Sequence, residues 1–320
     1  MPHFSKPGPG SRPAAPRPDL SSGEFVAPAG PPRLRGASGY AGAKPVVVAV
    51  PAAVPRPHAR EDGSPAPEPK GSRSGPARDE LKLCGLAAVR ARFARDPGSI
   101  QRLFFDYATG RQIGVICKVL AQAKKVYRCV EPAELEKIAG SIHHGGIVAV
   151  VAPPALRTAA AEDVRRWAKR GETVLVLDRI GNAHNLGAIA RTAAFFGVPR
   201  LVRPEDATAA RPTDAAHRVA EGGFEHLEVW QVKDLAALAR ELAAAGYEVI
   251  GAATRGGRPD ARLAAGKPVA LVMGNEEHGL APNVAAACSR LVTIPGTGKV
   301  ESLNVSVAAA VLMWELFPRQ

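Results

Sequence analysis

From residue 79 onwards, apolar positions recur along the chain with the spacings of helices and strands. Apolar residues at helical spacing predict a helix over 81–93, and alternating or continuous apolar runs predict short strands further on. The remaining elements of this first stretch are predicted as strands at 100–105, 126–130 and 147–151 and helices at 113–123 and 132–139. Together they predict a compact α/β unit over residues 79–153, and residues 154–171 are predicted to form a helical linker.

From residue 172 onwards, short apolar strands alternate with helical stretches. Strands are predicted at 173–178, 201–203, 227–232, 247–253, 269–273 and 291–294, and helices at 186–196, 235–244 and 305–316. Such alternation predicts a parallel sheet with helices on both faces. Because ligands of these sheets bind beyond the carboxyl ends of the strands, the segments that follow the strands are the places to search for chemistry.

Residues 1–78 have a different composition from the rest of the chain. They hold 17 of the 29 prolines, and eleven basic against five acidic residues give them a charge of +6. Large apolar residues are sparse, so this segment is predicted to be a disordered tail. Two roles remain open for it: a basic arm that tethers RNA without reading its sequence, or a spacer that keeps the protein soluble.

The net charge, the apolar runs and the cysteine pattern favour a nucleic-acid-binding protein of the cytosol over a membrane or secreted protein. The chain of 320 residues carries a net charge of +12, which favours a polyanionic partner such as nucleic acid. No apolar run approaches the length of about 20 residues that a membrane helix needs, and the start of the chain does not have the pattern of a secretory signal. The four cysteines are far apart, which is typical of reduced thiols in a cytosol: Cys84, Cys117, Cys129 and Cys288.

Several common site motifs are missing from the sequence. No strand is followed by G-x-G-x-x-G, and Gly298-Lys299 lacks both the first glycine and the Ser/Thr of a phosphate-binding loop. His143-His144 has no partner at metal-ligand spacing, so no metal site is predicted.

The first loop with chemical potential runs from a predicted strand end at Asp178 into the helix that begins near Asn185. Asn185 is predicted to cap this helix, because its side chain can accept hydrogen bonds from the free amides of the first turn. Arg191 lies on a helix that is otherwise mostly apolar, where burial of a guanidinium without a partner is costly. Its partner is therefore either a structural carboxylate or a phosphate of the substrate.

Two further loops follow predicted strands near the end of the chain. Residues 271–280 read LVMGNEEHGL, in which an apolar strand ends at Gly274 and Glu276 follows shortly after. Residues 294–308 read IPGTGKVESLNVSVA, a glycine-rich loop whose backbone groups can read a ligand. Ser302 and Asn304 place polar groups where this loop meets the next helix, although Ser302 could equally be only the helix cap.

In this order and spacing, the three loops resemble the signature motifs of the SpoU (TrmH-type) branch of the SPOUT RNA 2′-O-ribose methyltransferases. The elements N-x-G-x-x-x-R-T-A, G-x-E-x-x-G-L and S-L-N-V-S-V-A are present within residues 172–320. Residues 79–153 are similar to the L30-like substrate-binding domain that often precedes this catalytic domain. The chain departs from the family at Asn182-Ala183, where Asp-Pro is common, and at Gly145, where glutamine is usual.

The resemblance implies a fold, a cofactor and a set of site residues. The family's parallel sheet ends in a C-terminal trefoil knot, which binds S-adenosylmethionine, and its members act as homodimers with the site near the subunit interface. By this resemblance the cofactor is expected at Thr254, Gly274, Ile294 and Leu303. The expected polar and catalytic residues are Asn185, Arg191, Glu276, Ser302 and Asn304.

The predicted function is transfer of a methyl group to a ribose 2′-hydroxyl of rRNA or tRNA, by a cytoplasmic homodimer that needs neither metal nor membrane. Arg191 is expected to clamp a phosphate and stabilise the developing alkoxide, since arginine stays protonated in proteins, and a role as general base is the alternative. Two other functions remain open. The chain could be a catalytically silent RNA-binding protein that keeps the fold, or it could methylate a base nitrogen.

Overall fold

The computed structural model describes residues 80–258 and 267–317. The tail predicted at 1–78 lies outside the described residues. Within them, the chain forms a four-stranded sheet followed by a seven-stranded sheet, each covered by helices. None of the helices in these two ranges is long and apolar enough to cross a membrane.

The four-stranded unit comprises residues 80–152. Its strands are β1 (Leu81–Cys84), β2 (Ile100–Phe105), β3 (Val126–Cys129) and β4 (Ile147–Val151), and its helices are α1 (Leu86–Arg95), α2 (Tyr107–Gly110), α3 (Gly114–Gln122) and α4 (Pro132–Ala139). The strand order is β1-β4-β2-β3, so the fully apolar β4 lies in the interior and is buried at every residue. β3 lies at the edge and is exposed throughout.

The helix predicted over 81–93 is wrong in its first turn. Residues 81–84 form β1, which pairs antiparallel with β4, and α1 begins only at Leu86. Gly85 separates the two elements at φ 90°, a conformation that favours glycine and that a continuous helix does not contain. The Leu-Lys-Leu-Cys stretch alternates as a strand does, but the apolar residues that follow it continue a helical spacing through the same positions.

The seven-stranded unit begins at residue 157. Its strands are β5 (Arg157–Thr158), β6 (Val174–Leu177), β7 (Arg200–Pro204), β8 (Glu228–Val232), β9 (Glu248–Ala252), β10 (Val269–Met273) and β11 (Arg290–Val292). Its helices are α5 (Ala161–Lys169), α6 (Ala183–Phe195), α7 (Asp214–Ala220), α8 (Leu235–Ala244), α9 (Pro282–Ala287) and α10 (Val305–Leu316). The strand order is β11-β9-β10-β6-β7-β8-β5, and every neighbouring pair is parallel.

Apolar side chains pack on both faces of this sheet, which confirms the predicted parallel sheet with helices on both sides. One face buries α6 and α10 against the strands, and the other buries α5 and α8. The segment expected to be a helical linker does contain a helix, α5, but it also supplies β5, which pairs with β8. Val164 and Trp167 of α5 are buried in the second face, so the segment packs as part of the larger unit.

The sheet order brings the chemically interesting loops together. β11, β9, β10 and β6 are neighbours and run parallel, so the segments that follow them emerge at one edge of the sheet. These segments contain all three motif loops that the sequence singles out. The trefoil knot implied by the family resemblance stays a prediction.

Candidate functional site

A cavity of about 530 Å³ lies at this edge of the sheet, within the size range of small-molecule sites. Its floor is apolar, and its walls are the loops that follow β9, β10 and β11. The four residues expected at the cofactor all line the cavity: Thr254, Gly274, Ile294 and Leu303. Glu276 and Ser302 line it as well, so the cavity joins the second and third motifs.

Gly274 allows the loop after β10 to turn back on itself. A Cβ atom at this position would lie 2.5 Å from the backbone nitrogen of Leu280, a distance that real side chains do not reach. Asn275 and Gly279 exchange two backbone hydrogen bonds of 3.1 and 2.9 Å, which close the loop. This conformation requires glycine at position 274, because the backbone of Gly279 and Leu280 occupies the space that a side chain would need.

Two residues that the sequence interpretation did not single out fasten the first motif loop to the second. The side-chain amide of Asn275 donates to the carbonyl of Arg179 at 3.0 Å, and the Arg179 guanidinium donates to the carbonyl of Gly279 at 3.0 Å. The buried carboxylate of Asp178 accepts from the backbone amide of Ala281 at 2.6 Å. Arg179 has a φ of 58°, a conformation that sequence patterns do not reveal for an arginine.

The prediction that Asn185 caps α6 is wrong, because Asn182 does so. The Asn182 side chain accepts from the backbone amides of His184 at 2.7 Å and Asn185 at 3.3 Å. The helix therefore begins one turn earlier than expected, and Asn185 lies inside its first turn. Asn182 stands where the family commonly has aspartate, and it performs the capping role to which a short polar side chain is suited.

Free of the cap, the Asn185 side chain connects the three motifs. Its amide nitrogen donates to the Glu276 carboxylate, and its oxygen accepts from the side-chain amide of Asn304 at 3.2 Å. Asn304 in turn caps α10, accepting from the amide of Ser306 at 2.9 Å and from its hydroxyl at 2.6 Å. Glu276, Asn185 and Asn304 thus form a continuous chain of hydrogen bonds, called here the amide–carboxylate chain.

Ser302 is not the helix cap that the alternative interpretation allowed, since Asn304 takes that place. Ser302 is exposed on the wall of the cavity.

Arg191 lies apart from this chain and does not line the cavity. Its helix does not bury it, because its side chain is 57% exposed. Its Nη2 atom lies 2.9 Å from a carboxylate oxygen of Glu221, which directly follows α7. Of the two partners considered from the sequence, the structure contains the carboxylate, and the exposed guanidinium is still accessible to a further ligand.

Three of the cysteine thiols, those of Cys84, Cys117 and Cys288, are poorly suited to act as nucleophiles. Burial raises the pKa of the Cys288 thiol to about 11, with a further contribution from Asp178. Burial also raises the pKa of Cys84 and of Cys117. A thiol needs a lowered pKa to react as thiolate near neutral pH, so the polar groups around the cavity are the better candidates for chemistry.

Comparisons with known proteins identify two regions of the chain. Residues 172–314 match the model of the SpoU rRNA Methylase family, and residues 82–156 match the model described as RNA 2'-O ribose methyltransferase substrate binding. The three motif loops lie within the first of these matches.

Similar proteins span most of the chain. The 23S rRNA (guanosine-2'-O-)-methyltransferase RlmB of Nitrosomonas europaea is 33% identical over 239 residues, which cover 73% of this chain and 90% of the relative. The Escherichia coli O157:H7 protein named "Uncharacterized tRNA/rRNA methyltransferase YfiF" is also 33% identical, over 74% of this chain and 68% of its own length. The solved rRNA methyltransferase of Sinorhizobium meliloti shares the fold, with a TM-score of 0.61 at 24% identity over 74% of this chain and 86% of its own.

Proposed function

The chain belongs to the SpoU rRNA methylase family, and we propose that it transfers a methyl group from S-adenosylmethionine to a ribose 2′-hydroxyl of rRNA or tRNA. The observation that carries the proposal is that the second and third motifs line one cavity, while hydrogen bonds tie the first motif to both of them. The loops after β10 and β11 form walls of the cavity, and the amide–carboxylate chain joins Asn185 of the first motif to Glu276 and Asn304 of the other two.

The cavity has the character needed to hold S-adenosylmethionine. Its volume suits a small ligand, and its apolar floor lies beside backbone groups of Gly274, Ile294 and Leu303. The tight turn at Gly274 keeps the loop backbone close to the cavity, because no side chain stands between them. When bound, this cofactor supplies a methyl group on a positively charged sulfur, which is already activated for transfer. No group of histidine, cysteine or acidic residues in the described ranges could hold a metal ion.

The residues around the cavity would orient the ribose and stabilise the charge that develops on its oxygen. Asn185 is held on both sides by Glu276 and Asn304, so its amide has a fixed orientation before RNA binds. Ser302 adds a hydroxyl on the cavity wall. Arg191 would clamp the neighbouring phosphate and stabilise the developing alkoxide, because a guanidinium offers several donors in one plane.

The four-stranded unit would hold the RNA. The exposed edge strand β3 carries Tyr127 and Arg128, and Lys124 is exposed just before it. Aromatic rings stack on unpaired bases, and basic side chains contact phosphates. The match of residues 82–156 to a substrate-binding model supports this role.

We also propose that two copies of the chain associate through α6 and α10. Phe195 is 83% exposed, and Val307, Val311 and Trp314 are exposed on α10. Phe196 lies between the two aromatic residues, with its ring 5.3 Å from Phe195 and 6.2 Å from Trp314, so the patch is continuous. A contiguous apolar patch of this kind is typical of a protein–protein interface. Analytical ultracentrifugation should show a dimer that Phe195→Asp converts to a monomer, whereas Val115→Asp on the four-stranded unit should not.

The proposed reaction is tested by mapping 2′-O-methyl groups in RNA from cells with and without this protein. A site that disappears with the protein, and whose phosphodiester bond resists alkali only when the protein is present, supports ribose methylation. Base methylation would instead leave the phosphodiester bond at the modified nucleotide sensitive to alkali. A catalytically silent RNA-binding protein would change no modification at all.

The cofactor is tested separately by calorimetry with the full chain. Binding of S-adenosylmethionine or its demethylated product is expected at micromolar concentration, and a chelator should not change it. Folded protein that binds neither compound would contradict the assignment.

The role of residues 1–78 stays a proposal, as does a cytoplasmic location for the protein. Deletion of this segment should leave cofactor binding intact and should lower RNA affinity. If the segment contacts RNA, the dependence of affinity on salt should also become less steep, because fewer counterions are released on binding. An unchanged salt dependence would favour the spacer.

A further inference from the structure

The segment that carries the partner of Arg191 lies between the two sheet units. Residues 221–225, called here the 221–225 turn, follow α7 and touch α6 on one side and α1 on the other. A Cβ atom at Gly223 would lie 2.8 Å from the Cα of Arg191, and one at Gly222 would lie 3.2 Å from the Cα of Ala88. Backbone therefore packs directly on backbone at both surfaces, so we expect a shift of α1 to move the backbone at Arg191.

Buried polar contacts fix the same turn to the four-stranded unit. Arg92 of α1 lies 2.8 Å from the Glu225 carboxylate, and these side chains are only 6% and 1% exposed. Arg95 donates to two backbone carbonyls of this turn, those of Phe224 and Glu225, at 2.9 and 3.0 Å, and to the carbonyl of Leu227 just beyond it at 3.1 Å. The turn is therefore fixed to α1 of the four-stranded unit, which matches the substrate-binding model.

Glu221, the first residue of the turn, has a backbone conformation that is unusual for glutamate. Its φ of 44° and ψ of 43° lie in the left-handed region, which glycine and asparagine adopt at little cost and in which other residues are strained. The strained position directs its carboxylate to within 2.9 Å of Arg191 Nη2. Among residues 80–258 and 267–317, Glu221 is the one carboxylate that forms an ion pair with Arg191.

We propose that Glu221 is a positioning residue for methyl transfer, which orients the Arg191 guanidinium toward the RNA. An exposed arginine samples many rotamers, and one carboxylate on Nη2 restricts them while the remaining N–H groups stay accessible. Because the 221–225 turn rests on α1, the docked four-stranded unit also sets the position of this carboxylate. The inference rests on the proposed function, since it concerns the same reaction.

Glu221 could instead inhibit RNA binding, and the test distinguishes this effect from positioning. A carboxylate beside Arg191 also competes with an RNA phosphate for the same donors. Removal of a competitor would raise RNA affinity and leave or raise the rate. Removal of a positioning residue would lower the rate at saturating RNA and leave affinity nearly unchanged.

The test compares Glu221→Gln and Glu221→Asn with the wild-type chain in single-turnover methyl transfer to RNA from cells that lack the protein. Glutamine keeps the shape and loses the charge, whereas asparagine also relieves the left-handed strain. Both variants should bind cofactor normally, and the Asn variant should melt at the same or a higher temperature. The rate at saturating RNA should fall by about 10-fold, the scale of a modest misorientation.

A double-mutant cycle separates positioning from a general effect. In the Arg191→Lys background, Glu221→Asn should cause little further loss, because both changes remove the same interaction. Glu241→Gln on α8 removes another exposed carboxylate and should keep the wild-type rate. Wild-type rate in the Asn variant, tighter RNA binding with an equal or faster rate, or an additive loss in the double variant would each overturn the inference. Failure of the wild-type chain to methylate ribose would instead overturn the proposed function.

Discussion

Helix α6 places two polar side chains in contrasting surroundings. Asn185, in its first turn, is half-buried and held by hydrogen bonds to residues of two other loops. Arg191, further along the same helix, is exposed and forms a direct ion pair with one exposed carboxylate. The first end is organised by the seven-stranded unit alone, whereas the second end touches a turn that the four-stranded unit also holds.

The two ends also differ in how firmly their contacts are held. A hydrogen bond to an ionised carboxylate is among the stronger hydrogen bonds of proteins. An exposed ion pair contributes only about 0–1 kcal/mol to stability, so its partners can be exchanged at little cost. The Asn185 end of α6 is therefore organised in advance, and we expect the Arg191 end to adjust when RNA binds.

The largest expected effect is in the loop after β10, which the Asn185 end of α6 contacts through Glu276. Gly274→Ala forces the loop backbones apart and should cost about 3 kcal/mol, which is roughly 150-fold in the dissociation constant of S-adenosylmethionine. Calorimetry measures the affinity, and circular dichroism verifies that the variant is folded.

Gly296→Ala is the matched control in the same cavity. A Cβ atom there would meet no other atom within 4 Å, so cofactor affinity should change little. Equal affinity in both variants would show that the close approach at Gly274 does not shape the pocket.

At the other end of α6, Arg191→Lys should separate chemistry from cofactor binding. Lysine keeps the positive charge but loses the planar guanidinium, so single-turnover methyl transfer should fall by about 100-fold. Cofactor affinity should be unchanged, and stability should change by no more than about 1 kcal/mol because the ion pair is exposed.

Arg166→Lys on α5 removes another exposed, ion-paired guanidinium and should have the wild-type rate. A near-wild-type rate for Arg191→Lys, measured on cofactor-competent protein, would remove Arg191 from the proposed mechanism.

Two neighbouring asparagines test whether the first turn of α6 has separate structural and chemical roles. Asn182→Ala removes the helix cap and should cost about 1 kcal/mol of unfolding free energy. Asn185→Ala breaks the amide–carboxylate chain and should slow methyl transfer by about 10-fold, the effect of one hydrogen bond. Denaturant unfolding and single-turnover rates are measured on both variants. Asn182→Ala should lower the unfolding free energy more than the rate, and Asn185→Ala should lower the rate more than the unfolding free energy. Equal losses of unfolding free energy and of rate in the two variants would mean that the two side chains serve the same role.

The last prediction concerns acid and His217, which lies in the interior near the 221–225 turn. Burial, and then Arg92, lower the pKa of His217 to about 3, so the folded chain keeps this residue neutral where the unfolded chain binds a proton. The contribution of His217 to the unfolding free energy should therefore fall as the pH falls below about 6.5, by up to about 1.4 kcal/mol per pH unit.

Glu225 acts in the opposite sense, because burial raises its pKa and its contribution is lost as the pH rises. His217→Phe keeps an aromatic ring against Phe224, whose ring lies 4.6 Å away, and removes the titrating group. Denaturant unfolding between pH 5 and pH 7 should show a smaller acid-side loss in the variant than in the wild-type chain. Parallel pH profiles would contradict the assignment to His217.

Much of the local architecture is legible in the sequence. The ranges predicted for β4, β10, α4, α8 and α10 match the observed elements, because apolar runs and helical spacing report burial directly. The error at Leu81–Cys84 arose because a short alternating segment before a helix fits both patterns. Pairing with β4 decides between them, and no local signal in the chain reports that pairing.

The candidate site divides in the same way. The motifs that supply Gly274, Glu276 and Asn304 were recognisable because each follows a strand and has a distinctive composition. The choice of Asn182 rather than Asn185 as the helix cap depended on which side chain reaches the free amides. Two asparagines three residues apart look alike in the sequence, and only the path of the backbone distinguishes them.

Residue spacing along the chain specifies the sheet class and the three motif loops, and the family resemblance implies which residues are expected around the cofactor. The tertiary structure alone decided that Asn185 joins Glu276 to Asn304 and that Arg191 meets Glu221. Glu221 belongs to none of the motifs, and it reaches Arg191 through a left-handed turn wedged between α1 and α6. Contacts of this kind depend on how separate elements pack, which residue spacing along the chain does not specify.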